Sequence, residues 1–296
     1  MSKDTEKVFR ELQKYLDQFG KLSQSETKEK IDEFMKQYND DLHTSDPMEK
    51  DQWYYLDLAM EAEDVKVARK NAQRALTIDP YCTDAELLLI DLMDITHEEV
   101  KKRFEKLIKK TEAHLEEEGY FEEANIGEFY LIYETRPYMR ALSAYMDVLM
   151  GLGKYKAAIS VGVKMIKLNQ NDNLGVRYDL MALHAFFEDV PSAEGLLAAY
   201  EEESTSMLLP LILLYYRVDN YSKARKYLKL LANKNPDFKK IMLEQMTEEE
   251  VDEKLTPYGF ALNTVGELLQ VMEREMFLID ASAGAMLWIQ SELEKL

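Results

Sequence analysis

Apolar residues recur along this chain at three- and four-residue spacing and almost nowhere in alternation. Val8, Leu12, Leu16 and Phe19 share one face of a helix predicted over 4–19, which Gly20 ends. Ile31, Phe34, Met35 and Tyr38 form the next stripe, opened by Ser23 and Glu26 at capping-box spacing. The polar run NDDLHTSDP, 39–47, is a candidate boundary. Beyond it the pattern predicts a helical pair over 48–62 and 64–78, closed by IDP at 78–80. Thr83 with Glu86 and Thr96 with Glu99 repeat the capping-box spacing and predict helices over 84–95 and 97–118. Val100, Phe104, Leu107, Ile108 and Leu115 are the buried stripe of the second. The basic residues between them form either a solvated face or a dock for an acidic partner.

A further helix is expected over 121–134, leading into ETRPYMRA at 134–141. Proline disfavours α geometry in the residue before it and is welcome in the first turn of a new helix. Thr135 is therefore a candidate cap, and Pro137 opens the next helix.

From here the chain becomes self-similar. VKVARKNAQRALTIDP (65–80), YKAAISVGVKMIKLNQ (155–170) and YSKARKYLKLLANKNP (221–236) each place an alanine 12 residues before the end, at Ala68, Ala158 and Ala224. A weaker copy centres on Ala193, and the alanines at 158, 193 and 224 are spaced 35 and 31 apart. A small residue there lets two helices approach closely. A helix–turn–helix period of about 34 residues resembles the tetratricopeptide family, most closely over 48–80 and 137–240, with Gln170 departing from the usual proline. The resemblance implies an all-α fold, a right-handed superhelix of tetratricopeptide-like helical hairpins forming an α-solenoid. No single repeat could bury its own apolar face, so stacked repeats share one core between polar end caps. The implied division is an N-terminal cap over 1–46, repeats over 47–246 and a C-terminal cap over 247–296, opened by Thr247 with Glu250 and broken at TPYGF, 256–260. Two helices are expected after that break, carrying Leu268, Leu269, Met272, Phe277 and Trp288. ETRPYMRA together with LNQNDNLGVRY (168–178) is also similar to a group of bacterial repeat proteins of unassigned function.

Composition narrows the function. With 37 basic and 56 acidic residues the formal charge is −19, which disfavours phosphate backbones and anionic lipid as partners. The single Cys82 rules out an internal disulfide or a thiolate metal cluster. The opening MSKDTEKVFREL lacks the apolar core of a secretory leader, and the longest apolar run, LLPLILLYY at 208–216, is too short to span a bilayer. The expected location is cytoplasmic.

Chemistry is sparse. His43, His97, His114 and His184 are scattered, and no HExxH, CxxC, GxSxG or GxGxxG is present. GLGK at 151–154 is followed by Tyr155 and preceded by a helix, so it reads as a repeat turn. The expectation is a non-enzymatic chain with no cofactor and no metal. In NQNDNLG, 169–175, Asn171, Asp172 and Asn173 suit caps and side-chain turns, with Arg177 and Tyr178 one turn on as a functional alternative.

In the family that the chain resembles, the first helix of each repeat lines a concave groove. Carried over, that face includes Arg136, Tyr138, Arg140 and Asp147 on one helix and Tyr178 and Asp179, next to Arg177, on a second. On a third it includes Leu209, Leu213, Tyr216 and Arg217. Arginine, tyrosine and small residues together suit an extended peptide or a partner's helix. Arg136 and Arg140 could equally pair internally with Glu134 and with Asp147 or Asp179. The reading is a protein- or peptide-binding scaffold. Alternatives are a peptide-sensing regulator and an enzyme built around Arg136, Arg140 and Arg177.

Overall fold

Side-chain caps set where most helices begin. The computed structural model describes residues 8–9, 11–12, 15–16, 18–20, 23–41, 50–256 and 259–296. His43, most of the predicted boundary 39–47, much of the predicted helix 4–19 and Pro257 with Tyr258 lie outside the described residues. Among those described, sixteen α-helices and one 3-10 turn form, and no strand. The protein is all-α, and no described helix is long and apolar enough to cross a membrane.

The chain divides into two compact units, 1–152 with Leu168–Gln170, and 153–167 with 171–296. The first holds α1 (Gln24–Asp41), α2 (Gln52–Met60), α3 (Val65–Ile78), α4 (Thr83–Asp91), α5 (His97–Glu117) and α6 (Arg136–Gly151). Asp51 accepts from Trp53 N and Tyr54 N to open α2, and Asp64 does the same for α3 through Lys66 N and Val67 N. The capping boxes at Ser23–Glu26 and Thr96–Glu99 form as expected. The one at Thr83–Glu86 does not. Thr83 Oγ1 instead meets Thr111 Oγ1 at 3.1 Å, and Glu86 takes the Lys110 amine at 2.7 Å. Neighbours in sequence pack together, α2 on α3, α3 on α4, α4 on α5 and α5 on α6. Leu56, Ala59, Ala72, Ala75, Cys82 and Ala85 form one buried cluster, and Ile90, Phe104, Leu107 and Ala141 a second.

The helix expected over 121–134 is not there; the segment is a chain of turns with a 3-10 turn at Glu123–Asn125. Gly127 adopts φ 103°, and its N–H and carbonyl pair with Leu168 O and Gln170 N. A Cβ at Gly127 would sit 3.1 Å from the Gln170 side chain. Backbone groups committed to that bridge are unavailable to a helix. The next helix does start at ETRPYMRA, with Pro137 in the first turn of α6, but Thr135 is no side-chain cap. Its hydroxyl donates to the carbonyls of Phe129 and Ile132.

The second unit holds most of α7 (Tyr155–Leu168), then α8 (Val176–Phe186), α9 (Val190–Tyr200), α10 (Thr205–Arg217), α11 (Tyr221–Lys234) and α12 (Pro236–Met242). After these come α13 (Glu248–Asp252), α14 (Val265–Arg274), α15 (Met276–Asp280) and α16 (Ala283–Leu293). Its centre is α10, buried on every side from Thr205 to Tyr215. A helix apolar all round belongs in a core. Met207, Leu208, Leu209, Leu211, Ile212, Leu213 and Leu214 each contribute about 1.5–3 kcal/mol by burial. That outweighs the cost of Pro210 inside the helix, about 3 kcal/mol. α8, α11, α14, α15 and α16 all pack on α10. Three helices follow the TPYGF break, where two were expected.

The N-terminus of α10 is capped from a distance. Ser204 makes no side-chain cap. The fully buried Glu267 carboxylate of α14 accepts instead from Thr205 N (3.4 Å), Ser206 N (3.0 Å), Ser206 Oγ (2.6 Å) and Asn263 N. Asn235, also fully buried, accepts from Asp237 N and Phe238 N to open α12. It also donates to Thr205 Oγ1 at 3.1 Å and Thr264 O at 3.2 Å. The Glu267 carboxylate and the Asn235 amide both find partners inside the core, the condition under which burial is tolerated.

Candidate functional site

The arginines singled out from the sequence are all engaged within their own unit. Arg140 forks onto Asp84, Nε to Oδ1 at 2.9 Å and Nη2 to Oδ2 at 2.6 Å, tying α6 to α4. Arg136 is buried, donates Nε to Tyr130 O at 2.8 Å and lies 5.6 Å from the Tyr130 ring. Tyr138 is fully buried, and its hydroxyl donates to Glu112 at 3.0 Å. Burial and the nearby Glu112 raise its pKa. Asp147 is exposed on α6.

In the second unit Arg177 joins Asp172 (2.8 Å) and Glu202 (2.7 Å), and Tyr178 donates its hydroxyl to Glu202 at 2.8 Å. Asp172 also accepts from Val176 N and Arg177 N, so the N-terminus of α8 is capped by the one acid of the NDN run. Burial raises the Asp172 carboxyl against the pull of these donors. Asp179 pairs with Arg274 of α14. Arg217 donates to Ala281 O (2.9 Å), Phe186 O (3.1 Å) and Glu188 (3.1 Å). Tyr216 packs on Trp288 at 5.5 Å. Leu209 and Leu213, which share a groove face in the sequence reading, are fully buried in α10.

What ETRPYMRA does reach is a cavity of about 320 Å³ in the first unit, to which it contributes Glu134 and Pro137. Trp53, Tyr81, His114, Tyr120 and Tyr133 give it aromatic walls, with Asp79, Glu118 and Glu134 among them. Tyr81 and His114 stack at 3.9 Å with their planes 13° apart, and Trp53 and Tyr133 meet at 6.1 Å. Burial first, then the negative charges of Glu134 and Glu118, raise the Tyr120 hydroxyl. Among the described residues no lysine or arginine pairs with Asp79, Glu118 or Glu134. Aromatic faces and uncompensated carboxylates around one space complement a cation.

Trp53, Asp79, Tyr81, Tyr120 and Tyr133 were not singled out from sequence. They come from α2, from the α3–α4 turn and from the irregular run 120–135, with no fixed spacing. The one available signal was the density of aromatics and acids at helix ends. Compared with known proteins, the chain matches no protein-family model and no curated protein.

Proposed function

We propose that the chain is a non-enzymatic, protein- or peptide-binding scaffold of tetratricopeptide-like hairpins stacked as a right-handed superhelix and acting in the cytoplasm. On this reading it takes an arginine side chain of its partner in the aromatic cavity of the first unit. The cavity carries the reading. A planar guanidinium stacks on aromatic faces and forks onto carboxylates, so it can use Trp53, Tyr120 and Tyr133 together with Glu118 and Glu134. The charge of −19 draws a basic partner segment toward the chain. The repeat reading is supported by Ala68, Ala158, Ala193 and Ala224, all buried at the positions where hairpins must approach closely. It is also supported by the sequence-order packing of α2 to α6. The internal pairing of Arg140, Arg177 and Arg217 moves recognition away from those side chains.

An array of short peptides, each in an arginine and an alanine version, tests this. Arginine peptides are retained by the wild type and lost, by about tenfold in affinity, with the Glu118→Gln/Glu134→Gln double variant. Retention that ignores arginine, or that the double variant leaves unchanged, contradicts the proposal.

A further inference from the structure

The second unit holds its own cavity, of about 240 Å³, where the first turn of α8 faces α14. Leu174, Phe260 and Val271 line it with apolar surface, Asp179 and Arg274 bring charge, and Glu275 brings a carboxyl group. Its volume is several times the roughly 30 Å³ share of a water molecule, so it has room for a small organic group.

Glu275 is the anomaly. It stands between α14 and α15, 4% exposed, and its Oε2 has no hydrogen-bond partner. Arg274, the neighbouring cation, binds Asp179 through both Nε and Nη2. Glu267 adds negative charge but is saturated by the α10 N-terminus, as described above. Tyr178 is engaged with Glu202. Burial, then the Asp179 charge, pushes the Glu275 carboxyl well above the carboxylate range. A buried carboxyl with an open lone pair beside a second carboxylate costs stability unless a donor arrives.

We propose that this cavity binds a primary ammonium group on a short apolar stem, with Glu275 and Asp179 as acceptors and Leu174, Phe260 and Val271 around the stem. An anionic ligand would meet Asp179 and the field of Glu267. An uncharged apolar ligand would leave Oε2 unsatisfied. An ammonium is compact and carries three donors, enough for an Asp179 oxygen that already holds Arg274 and for Oε2, which is sealed from solvent at rest and is brought to the ligand by a turn of the Glu275 side chain. Binding draws Glu275 into its ionised form: the carboxyl proton leaves to solvent, and the ammonium keeps its own. This site is separate from the arginine cavity of the first unit and does not depend on it. The ammonium can belong to a free alkylamine or to a partner's lysine side chain.

Calorimetry on the full chain near pH 7, in two buffers of different ionisation enthalpy, tests it. The probes are n-pentylamine, pentanoate and Nα-acetyl-lysine methyl amide. We expect one pentylamine per chain with proton release, no binding of pentanoate, and a loss of about tenfold or more with the isosteric Glu275→Gln. Val271→Phe, which fills the cavity from α14, lowers the affinity as well, and Glu118→Gln/Glu134→Gln leaves it unchanged. Blocked lysine binding at least as well as pentylamine assigns the ammonium to a partner's side chain. Binding of pentylamine alone assigns it to a free amine. The proposal is overturned if neither amine binds at millimolar concentration, if pentanoate binds as tightly, or if folded Glu275→Gln binds pentylamine like the wild type.

Discussion

Two glutamates of the second unit should respond to pH with opposite sign. Glu292 accepts from Arg225 at 2.7 Å and Lys295 at 2.9 Å, which hold its carboxyl down at about 2. A depressed carboxyl contributes stability above its unfolded value, about 4.3, and loses it as pH falls toward the folded value. Glu292→Gln should therefore lower the melting temperature at pH 7, only slightly because the arginine of the pair is half-exposed and screened by solvent, and the gap should close toward pH 2. Glu275 is raised instead, so the folded state holds its proton where the unfolded chain has lost it. Its contribution is complete below about 4.3 and declines as pH rises toward the folded value. Glu275→Gln should leave the melting temperature unchanged at pH 4 and raise it increasingly as pH climbs from there toward the folded value. A gain independent of pH would contradict the buried, protonated carboxyl. Arg140 gives a third case. Arg140→Ala strands a mostly buried Asp84, side chain 15% exposed, and should cost about 1–2 kcal/mol. Asp84→Ala should recover part of that loss in a double-mutant cycle; full additivity would mean that the pair is not coupled.

At the scale of elements, close approach at small residues is the structural content of the repeat. Ala224 is fully buried on α11, in the unit where α10 and α11 pack together. Ala224→Leu should cost about 1–3 kcal/mol by overpacking, measured by denaturant titration. A neutral result would mean that the alanine pattern does not mark a tight contact. Much of this level was legible from local sequence. The boxes at Ser23, Thr96 and Thr247 and the proline that opens α6 depend on residues three or four apart, and they form. What failed depends on distant partners. Thr83 turned from its box toward Thr111, 28 residues away. The run 121–134 gave up helix for pairing with 168–170. The Glu267 cap on α10 acts across 61 residues. The same limit applied to the candidate site. Arg140, Arg177 and Arg217 stand out in the sequence, but Asp84 and Glu202 as their partners do not, because no spacing links them.

At the scale of the whole molecule, each unit holds its own core. α10 is the largest single investment in the second, and its buried face follows from α14, α15 and α16 packing on it. Leu213→Ala should therefore cost about 2–5 kcal/mol, the penalty of a core position; a loss under about 1 kcal/mol would restore Leu213 to an accessible face. Arginine recognition in the first unit has a built-in reporter, one of the chain's two tryptophans. Trp53 lines the aromatic cavity, and Trp288 lies in the other unit. The most direct measurement is the emission of Trp53 in a Trp288→Phe background, titrated with a short arginine peptide and with its citrulline counterpart. A saturable change is expected with arginine only, abolished by Glu118→Gln/Glu134→Gln. Emission that stays constant while the peptide binds, or that responds equally to citrulline, would contradict it.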